Sequence, residues 1–452
     1  MPSNKRPFGE LFAEPTRNGL TRPKSVRGAG TKMVNMGELF AFPRLHNIPM
    51  DRVPLTNEEA EKSLLQAGDL LFARQSLVLE GAGKCSIFLG DDEPVTFESH
   101  VTRVRLDNKV ADPQFYFYYF QSPHGRAAIR SIVEQGAGAA GIRGSDLKGL
   151  EVEWRDVEEQ SEVSEILSTL DDKIELNRRM NETLEAIARA IFKSWFVDFD
   201  PVRAKASGEP PESICRRLRL TPELLALFPD RLVDSELGEI PEGWRVGKLG
   251  DLYSAKGGYA YKSRDFLAEG NPVVKIKNIT GSGTVDLVDV QYIDDELAEK
   301  SNRFALGDGD VVMAMTGATV GKTGIIVTIN NSIPYLNQRV AKFESNNKHE
   351  MPSWLVFCLF QLQSKFEELV GNASGSAQPN ISSTGIESTS IVVANTDVLE
   401  SFNETVDSLF NRWIINNKEI STLSIIRDAL LRELLSGDLR VPVVEDEAEG
   451  IA

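Results

Sequence analysis

The sequence is duplicated at an offset of 239 residues, and no other feature constrains the fold as strongly. Three unlike patterns share this offset: Val163, Leu167, Leu170 and Ile174 match Phe402, Val406, Leu409 and Trp413; Pro113 and Phe115 match Pro352 and Trp354; Ile142, Leu147 and Val152 match Ile381, Ile386 and Ile391. Farther upstream the offset changes by at most two residues, and residues 68–72 match 309–313. A chain built as module, helix, module, helix has internal two-fold character and suits a target that also has two parts.

Length and composition favour a multidomain protein of the cytoplasm. A chain of 452 residues is expected to have more than one core, and its hydrophobic content of 41% is ordinary for a soluble protein. No apolar run approaches the roughly 20 residues of a membrane span, and no secretion signal follows Met1. The odd, scattered cysteines Cys85, Cys215 and Cys358 fit a reducing compartment, and the four unpaired histidines argue against a histidine metal site.

The net charge of −17 is unevenly distributed along the chain. Residues 1–155 carry 20 basic and 19 acidic groups, and residues 244–395 carry 14 and 16, so both modules are nearly neutral. Residues 156–243 carry 11 basic and 20 acidic groups, and residues 396–452 carry 5 and 12. Nucleic acid would therefore bind the modules, whereas the acidic helices would more readily face protein.

Two heptad patterns predict long helices that pair with each other. Steps of four and three residues connect the positions of each seam: Val163, Leu167, Leu170, Ile174, Asn177, Asn181, Leu184, Ala188, Ile191 and Trp195, and then Phe402, Val406, Leu409, Trp413, Asn416, Ile420, Leu423, Arg427, Leu430 and Leu434. Each seam would span roughly 50 Å. Antiparallel pairing is the simplest closure and would place one module at each end of a rod. Asn177 and Asn416 would pair and set the alignment, unless both lie at frayed or solvent-facing points.

The predicted fold class is α/β (α+β), with two modules of mixed sheet and helices. The expected boundaries are a first module 1–155, a long helix 156–200, a polar connector 201–243, a second module 244–395, a second long helix 396–436 and an acidic tail 437–452. Residues 272–279 alternate apolar and basic side chains like a half-buried strand, and 309–315 resemble a buried strand. Pro113 and Pro352 would open short helices, and the aromatic run 115–120 favours a packed core over base stacking.

Three apparent catalytic motifs fail on inspection. Thr316 stands where a phosphate loop needs its first glycine, so Gly317-Ala-Thr-Val-Gly-Lys-Thr323 is one residue short, and no Gly-Lys-Thr is evident in the first copy. Ser332-Ile-Pro-Tyr335 departs at its second residue from the active-site tetrapeptide of amino-methyltransferases, and no suitable glycine-rich cofactor loop accompanies it. Pro229-Asp230 lacks the further carboxylates and lysine of a nuclease site.

A family resemblance rests on several long strings. Residues 170–202 (LDDKIELNRRMNETLEAIARAIFKSWFVDFDPV) resemble the central conserved region of the specificity subunits of type I restriction-modification enzymes. Thr316-Gly-Ala-Thr-Val-Gly-Lys322 and Leu336-Asn-Gln-Arg339 resemble phrases of that family's target recognition domains, and Leu435-Ser-Gly-Asp-Leu-Arg440 resembles its usual ending. The resemblance extends from Phe8 to Arg440 and is weaker over residues 1–150.

The resemblance implies a non-catalytic DNA-recognition subunit with pseudo-two-fold symmetry. Each module would be a target recognition domain for one half of a split site in double-stranded DNA, and the paired helices would dock two methyltransferase subunits. Those partners would hold S-adenosylmethionine and methylate an adenine in each half-site. Two restriction subunits that use ATP and Mg could join to cut unmodified DNA. The chain itself would bind no cofactor or metal.

Polar residues beside predicted turns are the candidate DNA contacts, because Arg, Lys, Asn and Gln read base edges and bind phosphates. They are Arg74, Gln75, Lys84, Arg103 and Arg143 in the first module, and Lys256, Tyr259, Lys262, Lys275, Lys277, Asn278, Lys322, Asn337, Gln338 and Arg339 in the second. Lys322, Lys275 and Lys277 are the strongest of these candidates; for any one of the set, the alternative is a solvated charge or a hydrogen bond that fixes a loop. The candidate partner surface comprises Ile166, Met180, Ile187, Phe192 and Phe196.

Two other classes of protein stay open at this stage. An enzyme fused to a recognition domain would bind S-adenosylmethionine as a lone chain, and the missing cofactor loop argues against it. A scaffold with paired helical arms and no nucleic-acid function would fail to shift DNA in the presence or absence of methyltransferase partners.

Overall fold

The computed structural model describes residues 5–136, 138–330, 332–346, 352–371, 373 and 379–439. The chain divides into two compact units, the first formed by residues 1–173 and 423–452 and the second by residues 174–422. Each unit contains one module and parts of both long helices. The expected tail 437–452, like Arg440 of the family ending, lies outside the described residues from position 440 onward.

The module of the first unit is built on two sheets that share a core with short helices. The five-stranded sheet has the spatial order Arg17–Asn18, Val101–Val104, Leu70–Ala73, Cys85–Phe88 and Arg44–Leu45, and the three-stranded sheet has the order Asp51–Val53, Thr31–Val34 and Val95–Phe97. Two smaller sheets accompany them: Lys5–Pro7 with Glu151–Glu153, and Glu134–Gln135, Ala140–Gly141 and Gln75–Ser76 in that order. The α-helices are Met36–Ala41, Asn57–Ser63, Pro113–Gln121, Pro123–Ser131 and Gly144–Lys148, and the 3-10 helices are Phe8–Leu11, Lys24–Val26 and Leu79–Gly81.

The module of the second unit repeats this plan. Its five-stranded sheet has the spatial order Tyr253–Gly257, Val340–Ser345, Val311–Ala314, Thr323–Ile325 and Gly283–Thr284. Its three-stranded sheet has the order Gln291–Ile293, Asn271–Val274 and Tyr335–Leu336, and Arg245–Lys248 pairs with Ser390–Val393. The α-helices are Asp295–Lys300, Trp354–Phe360, Gln363–Gly371 and Ser383–Glu387, and the 3-10 helices are Leu249–Asp251, Ser263–Asp265, Ile276–Asn278, Asn302–Phe304 and Gly317–Thr319.

The two modules share strand order and strand direction, so the predicted duplication and mixed fold class are confirmed. In the first, Thr31–Val34 runs parallel to Val95–Phe97; in the second, Asn271–Val274 runs parallel to Tyr335–Leu336. The central pair of each five-stranded sheet is antiparallel. The predicted helix cores also hold, because every residue of 115–120 and 354–360 is buried, although the second helix begins at Trp354 rather than at Pro352.

The two predicted long helices extend over Val157–Phe196 and Thr396–Ser436. In the first unit, the Arg427 guanidinium donates to the Asp171 carboxylate at 2.7 Å, and Arg155 donates to the Leu435 carbonyl at 2.6 Å. In the second unit, Phe196 packs edge-on against Phe402 with ring centroids 5.1 Å apart. Within each unit, later residues of one helix face earlier residues of the other, so the pairing is antiparallel as predicted.

The asparagines of the seam do not pair as expected. The Asn416 amide donates to Asn181 at 2.9 Å, and the Asn177 amide donates to Glu419 at 2.9 Å. Asn177 and Asn416 match in the repeat, but in an antiparallel helix pair two matching positions generally do not lie opposite each other. Asn416 therefore contacts Asn181, one helical turn beyond Asn177. Asn177 and Asn416 are fully buried, which excludes the frayed or solvent-facing alternative.

Residues 201–243, predicted as a polar connector, form regular secondary structure. They contain helices Asp200–Ala206, Pro211–Leu218 and Pro222–Ala226 and the hairpin of Leu232–Ser235 with Gly238–Pro241. Ile214, Leu225 and Phe228 are buried in the core of the second unit, and the Phe228 ring lies 5.2 Å from that of Trp195. The connector therefore covers the end of the first long helix.

Candidate nucleic-acid interface

In the second module, strands Tyr253–Gly257, Asn271–Val274 and Tyr335–Leu336 end next to one another, and several predicted DNA contacts lie there. Tyr259 forms a parallel bridge with Asn337: the Tyr259 N–H donates to the Leu336 carbonyl at 2.9 Å, and the Gln338 N–H donates to the Tyr259 carbonyl at 2.9 Å. The Asn337 N–H donates to the Val274 carbonyl at 3.1 Å, which brings Lys275 alongside. We call Tyr259, Lys275, Asn337, Gln338 and Arg339 the second strand-end cluster.

The first module has the same arrangement at the same offset of 239 residues. Leu20 bridges Glu98; the Leu20 N–H donates to the Phe97 carbonyl at 2.8 Å, and the Ser99 N–H donates to the Leu20 carbonyl at 3.1 Å. Leu20, Glu98, Ser99 and His100, the first strand-end cluster, therefore correspond to Tyr259, Asn337, Gln338 and Arg339. Sequence reasoning missed this set, although the repeat offset alone was sufficient to locate it.

A glycine precedes the bridging residue in both clusters because the two backbone segments are in contact. A Cβ at Gly19 would lie 2.1 Å from the Phe97 carbonyl oxygen, and one at Gly258 would lie 2.1 Å from that of Leu336. No side chain fits at either position without moving main-chain atoms.

The second strand-end cluster combines polar side chains with nearby aromatic rings. The Gln338 and Arg339 side chains are exposed, and Tyr259 is half-buried with its ring 4.8 Å from Tyr261. The Lys275 ammonium lies 3.4 Å from the centroid of the Phe266 ring and donates to Gln291. Burial, followed by the positive charge of Lys277, lowers the pKa of Lys275. Such a surface can donate to phosphates and to base edges.

Lys275 and Lys277 do not share a strand face, which corrects the prediction for residues 272–279. The strand ends at Val274, and Lys275 caps the 3-10 helix Ile276–Asn278. The buried Asn278 side chain accepts from the Lys275 N–H at 2.9 Å and donates to the Asp289 carbonyl at 2.8 Å, so it holds the turn and is unavailable to DNA. Lys277 is exposed and forms an ion pair with Asp289 at 2.9 Å.

The remaining candidates of the second module are less closely grouped. Lys256 is exposed on strand Tyr253–Gly257, and exposed Lys262 precedes the 3-10 helix Ser263–Asp265. Lys322 is half-buried, and its side-chain stem lies against Gly281. Strand Thr323–Ile325 follows Lys322 directly where a phosphate loop requires a helix, so the segment is the turn of a hairpin.

Four candidates of the first module gather where strand Leu70–Ala73 ends, and one does not. Half-buried Arg74 and exposed Gln75 directly follow the strand. Lys84 lies beside its end, because the Lys84 carbonyl accepts from the Ala73 N–H at 2.9 Å. Arg143 is also close, because the Arg74 carbonyl accepts from the N–H of the neighbouring Ile142. Exposed Arg143 is paired with Glu134 at 2.5 Å.

Arg103 is the exception, because its position argues against a DNA contact. It is 2% exposed, and its guanidinium donates to the Glu14 carboxylate at 2.6 Å. All four residues of strand Val101–Val104 are buried, so Arg103 is buried despite its charge.

Lys84 and Lys322 occupy equivalent positions in the hairpin turns of the two modules, a match that was not predicted from the sequence. The Gly83 N–H donates to the Ala73 carbonyl at 2.8 Å, and the Gly321 N–H donates to the Ala314 carbonyl at 2.9 Å. The first copy therefore has a Gly-Lys pair at the same hairpin turn. The offset there is 238 residues, because the preceding loops differ in length.

Two of the residues predicted for partner docking are in the core. Phe192 and Phe196 are 3% and 7% exposed and pack against Phe402, so they cannot form an exposed flank. Ile166 is partly buried against the core of the first unit. Ile187 is exposed and Met180 half-exposed on one face of the first long helix, and exposed Leu176 extends that face.

Within the described residues, no group of three or more His, Cys, Asp or Glu side chains is placed to hold a metal ion. No helix in the same part of the chain combines the length and apolarity needed to cross a membrane.

Comparisons with known proteins agree on one family. A family model described as type I restriction modification DNA specificity domain matches residues 40–186 and 241–423. The MjaIX specificity subunit of Methanocaldococcus jannaschii is 28% identical over 335 residues, which cover 72% of this chain and 69% of that protein. The HindI specificity subunit of Haemophilus influenzae is 26% identical over 449 residues, with 90% and 94% coverage. The crystal structure of a type I restriction-modification S subunit from M. genitalium is similar in fold, with a TM-score of 0.54, 17% identity and 95% coverage of both chains.

Proposed function

Because the chain belongs to the family of type I restriction-modification DNA specificity subunits, we propose that each module reads one half of a bipartite DNA site. Subunits of this family recognise DNA and are not themselves catalytic, and S-adenosylmethionine and ATP belong to their partner subunits. The lone chain is accordingly expected not to bind S-adenosylmethionine, which separates it from an enzyme fused to a recognition domain.

The duplication of the strand-end cluster is the observation that supports this proposal. Both modules use the same backbone bridge, at Leu20 with Glu98 and at Tyr259 with Asn337, but the bridging side chains differ in size and charge. The same backbone arrangement with different side chains suits two half-sites of different sequence, because contacts to base edges specify the sequence and phosphate contacts only position the protein.

The residues proposed to contact DNA follow from exposure and placement. Arg103 and Asn278 are omitted because they are buried, whereas Ser99 and His100 enter as counterparts of Gln338 and Arg339. The proposed set is Arg74, Gln75, Lys84, Ser99, His100 and Arg143 in the first module, and Lys256, Tyr259, Lys262, Lys275, Lys277, Lys322, Asn337, Gln338 and Arg339 in the second.

Replacement of Arg339 by alanine is expected to relax methylation at one half-site only. A good bidentate contact to a base is worth about 1–3 kcal/mol of discrimination, so methylation should spread to sites with a single substituted base in that half. Methylation-sensitive sequencing of a host genome that carries the complete system measures both half-sites and their gap directly.

The matched variant His100→Ala is expected to relax the other half-site, because His100 occupies the equivalent position of the first module. Relaxation of the same half by both variants would contradict the assignment of one module to each half-site. A chain that shifts no DNA, alone or with methyltransferase subunits, would instead favour the scaffold alternative.

We further propose the composition of the assembly. Two methyltransferase subunits would dock on the paired long helices and methylate an adenine in each half-site, and two restriction subunits with ATP and Mg would cut unmodified DNA. Exposed Leu176 and Ile187 and half-exposed Met180 lie on one face of the first long helix, at spacings of four and seven residues, and form the proposed docking face.

The double variant Leu176→Asp/Ile187→Asp is expected to weaken assembly with the methyltransferase at least tenfold, because two charges would be buried in an apolar contact. The side chains are 54% and 43% exposed, so the chain itself should keep its melting temperature. Titration calorimetry against the purified methyltransferase measures the effect. Leu237→Asp, at a side chain 47% exposed outside the long helices, is the control and should bind normally. Unchanged binding by the double variant would place the docking face elsewhere.

A further inference from the structure

A cleft of about 100 Å³ in the first module is lined by three cationic side chains. It lies between the hairpin turn at residues 79–85 and helix Pro123–Ser131, and its cations are Lys84, Arg126 and Arg130. The Lys84 ammonium donates to the Phe40 carbonyl at 2.8 Å and lies 5.2 Å from the centroid of the Phe40 ring. The Lys84 ammonium is thus bound by neutral groups of Phe40.

The hydrogen bonds described for Lys84 and Arg126 go to neutral acceptors. Arg126 donates to the main-chain and side-chain oxygens of Gln121 at 3.0 and 3.1 Å. Glu80 also lines the cleft, but no ion pair within the described part of the chain joins a carboxylate to any of the three. Burial, followed by the charge of Arg126, lowers the pKa of Lys84. Three cations around one small space favour an anion, whose binding would offset their mutual repulsion.

The equivalent positions of the second module carry side chains with other partners. Lys365, at the position of Arg126, is paired with Glu368 at 2.7 Å and donates to the Ser390 carbonyl at 2.8 Å. Leu369 replaces Arg130 and is 1% exposed. The Phe366 ring lies 3.2 Å from the Cβ position of Gly321, beside Lys322. The second module therefore pairs one of the three equivalent positions with a carboxylate and has leucine at another, unlike the first module.

We propose that this cleft binds a phosphate group of the DNA backbone when the first module holds its half-site. The inference rests on the proposed function and extends it to a specific contact. Lys84 is bonded through its carbonyl to the end of strand Leu70–Ala73, so the cleft adjoins Arg74 and Gln75. Arginine guanidinium groups match phosphate oxygens in geometry, and such a contact fixes the position of the module without reading sequence.

The variant Arg126→Gln/Arg130→Gln tests the proposal in the complex with methyltransferase subunits. Affinity for a DNA duplex that contains the methylated site is measured between about 50 and 200 mM salt. Loss of one phosphate contact should make the slope of log K against log salt shallower by about one. The set of methylated genomic sites should stay the same, because the lost contact reads no base.

Lys365→Gln is the matched control, since its cation is already paired, and it should leave the slope unchanged. An unchanged slope in the double variant, with a normal melting temperature, would overturn the proposal. A variant that loses stabilisation by inorganic phosphate while its DNA slope stays intact would assign the cleft to free phosphate and would also overturn it. Wild-type complex that binds no specific duplex would refute the proposed function itself.

Discussion

Replacement of Phe402 by alanine is expected to destabilise the second unit by about 3–5 kcal/mol, the range for removal of a large buried aromatic side chain. Phe402 is fully buried, and its ring lies 5.9 Å from Phe192, 6.0 Å from Trp195 and 5.1 Å from Phe196. The cavity would therefore open where the two long helices meet. Urea unfolding followed by tryptophan fluorescence would report the loss, because Trp195 adjoins it.

The control for this prediction lies on the same helix. Ile415 is 53% exposed, and Ile415→Ala should change the free energy of unfolding by no more than about 0.5 kcal/mol. Equal destabilisation by Phe402→Ala and Ile415→Ala would mean that the aromatic contact between the helices contributes little to stability.

Replacement of Asp69 by asparagine is expected to cost the first module about 3–5 kcal/mol, because Glu14 would then have to pair with both the Arg103 and the Arg105 guanidinium, which are 2% and 15% exposed. The Asp69 carboxylate has no exposed side-chain area and accepts two hydrogen bonds from Arg105, both at 2.7 Å. Glu14 accepts from Arg105 and Arg103 and cannot neutralise both alone. Calorimetric melting of the variant measures the effect.

The duplication supplies a matched control for Asp69. Asp310 is its counterpart in the second module and pairs with Lys342 at 2.9 Å, but those side chains are 22% and 24% exposed. Water screens this pair, so Asp310→Asn should cost roughly 1 kcal/mol or less. Equal losses in the two variants would show that burial does not set the strength of these pairs.

The long helices and the duplicated modules could be predicted from the sequence because both are periodic signals. A seam sustained over many heptads excludes alternatives, and an offset shared by helical, strand and turn patterns is hard to produce by chance. The same offset predicts the correspondence of Leu20 with Tyr259 and of Glu98 with Asn337.

The misassigned residues lie where local patterns are ambiguous. The alternation of residues 272–279 fits a strand, but the Asn278 side chain accepts from the Lys275 N–H and turns the chain into a 3-10 helix instead. Asparagine competes in this way for backbone donors, and no periodicity reveals it.

Phe192 and Phe196 were misplaced for a different reason. Spacing along a helix identifies one seam, but it cannot identify a second layer that packs from outside that seam. Trp244 lies 6.0 Å from the Phe196 ring, and the folded connector supplies further contacts. Burial of this kind depends on distant parts of the chain.

The contact of Gly19 with the Phe97 carbonyl, and of Gly258 with that of Leu336, restricts how this protein can change. Because the two main-chain segments touch in both modules, neither glycine can accept a side chain, whereas the nearby His100, Gln338 and Arg339 side chains are exposed and have room to vary. New DNA targets should then arise by exchanging those neighbours one at a time, with the two halves evolving independently and the scaffold beneath them preserved.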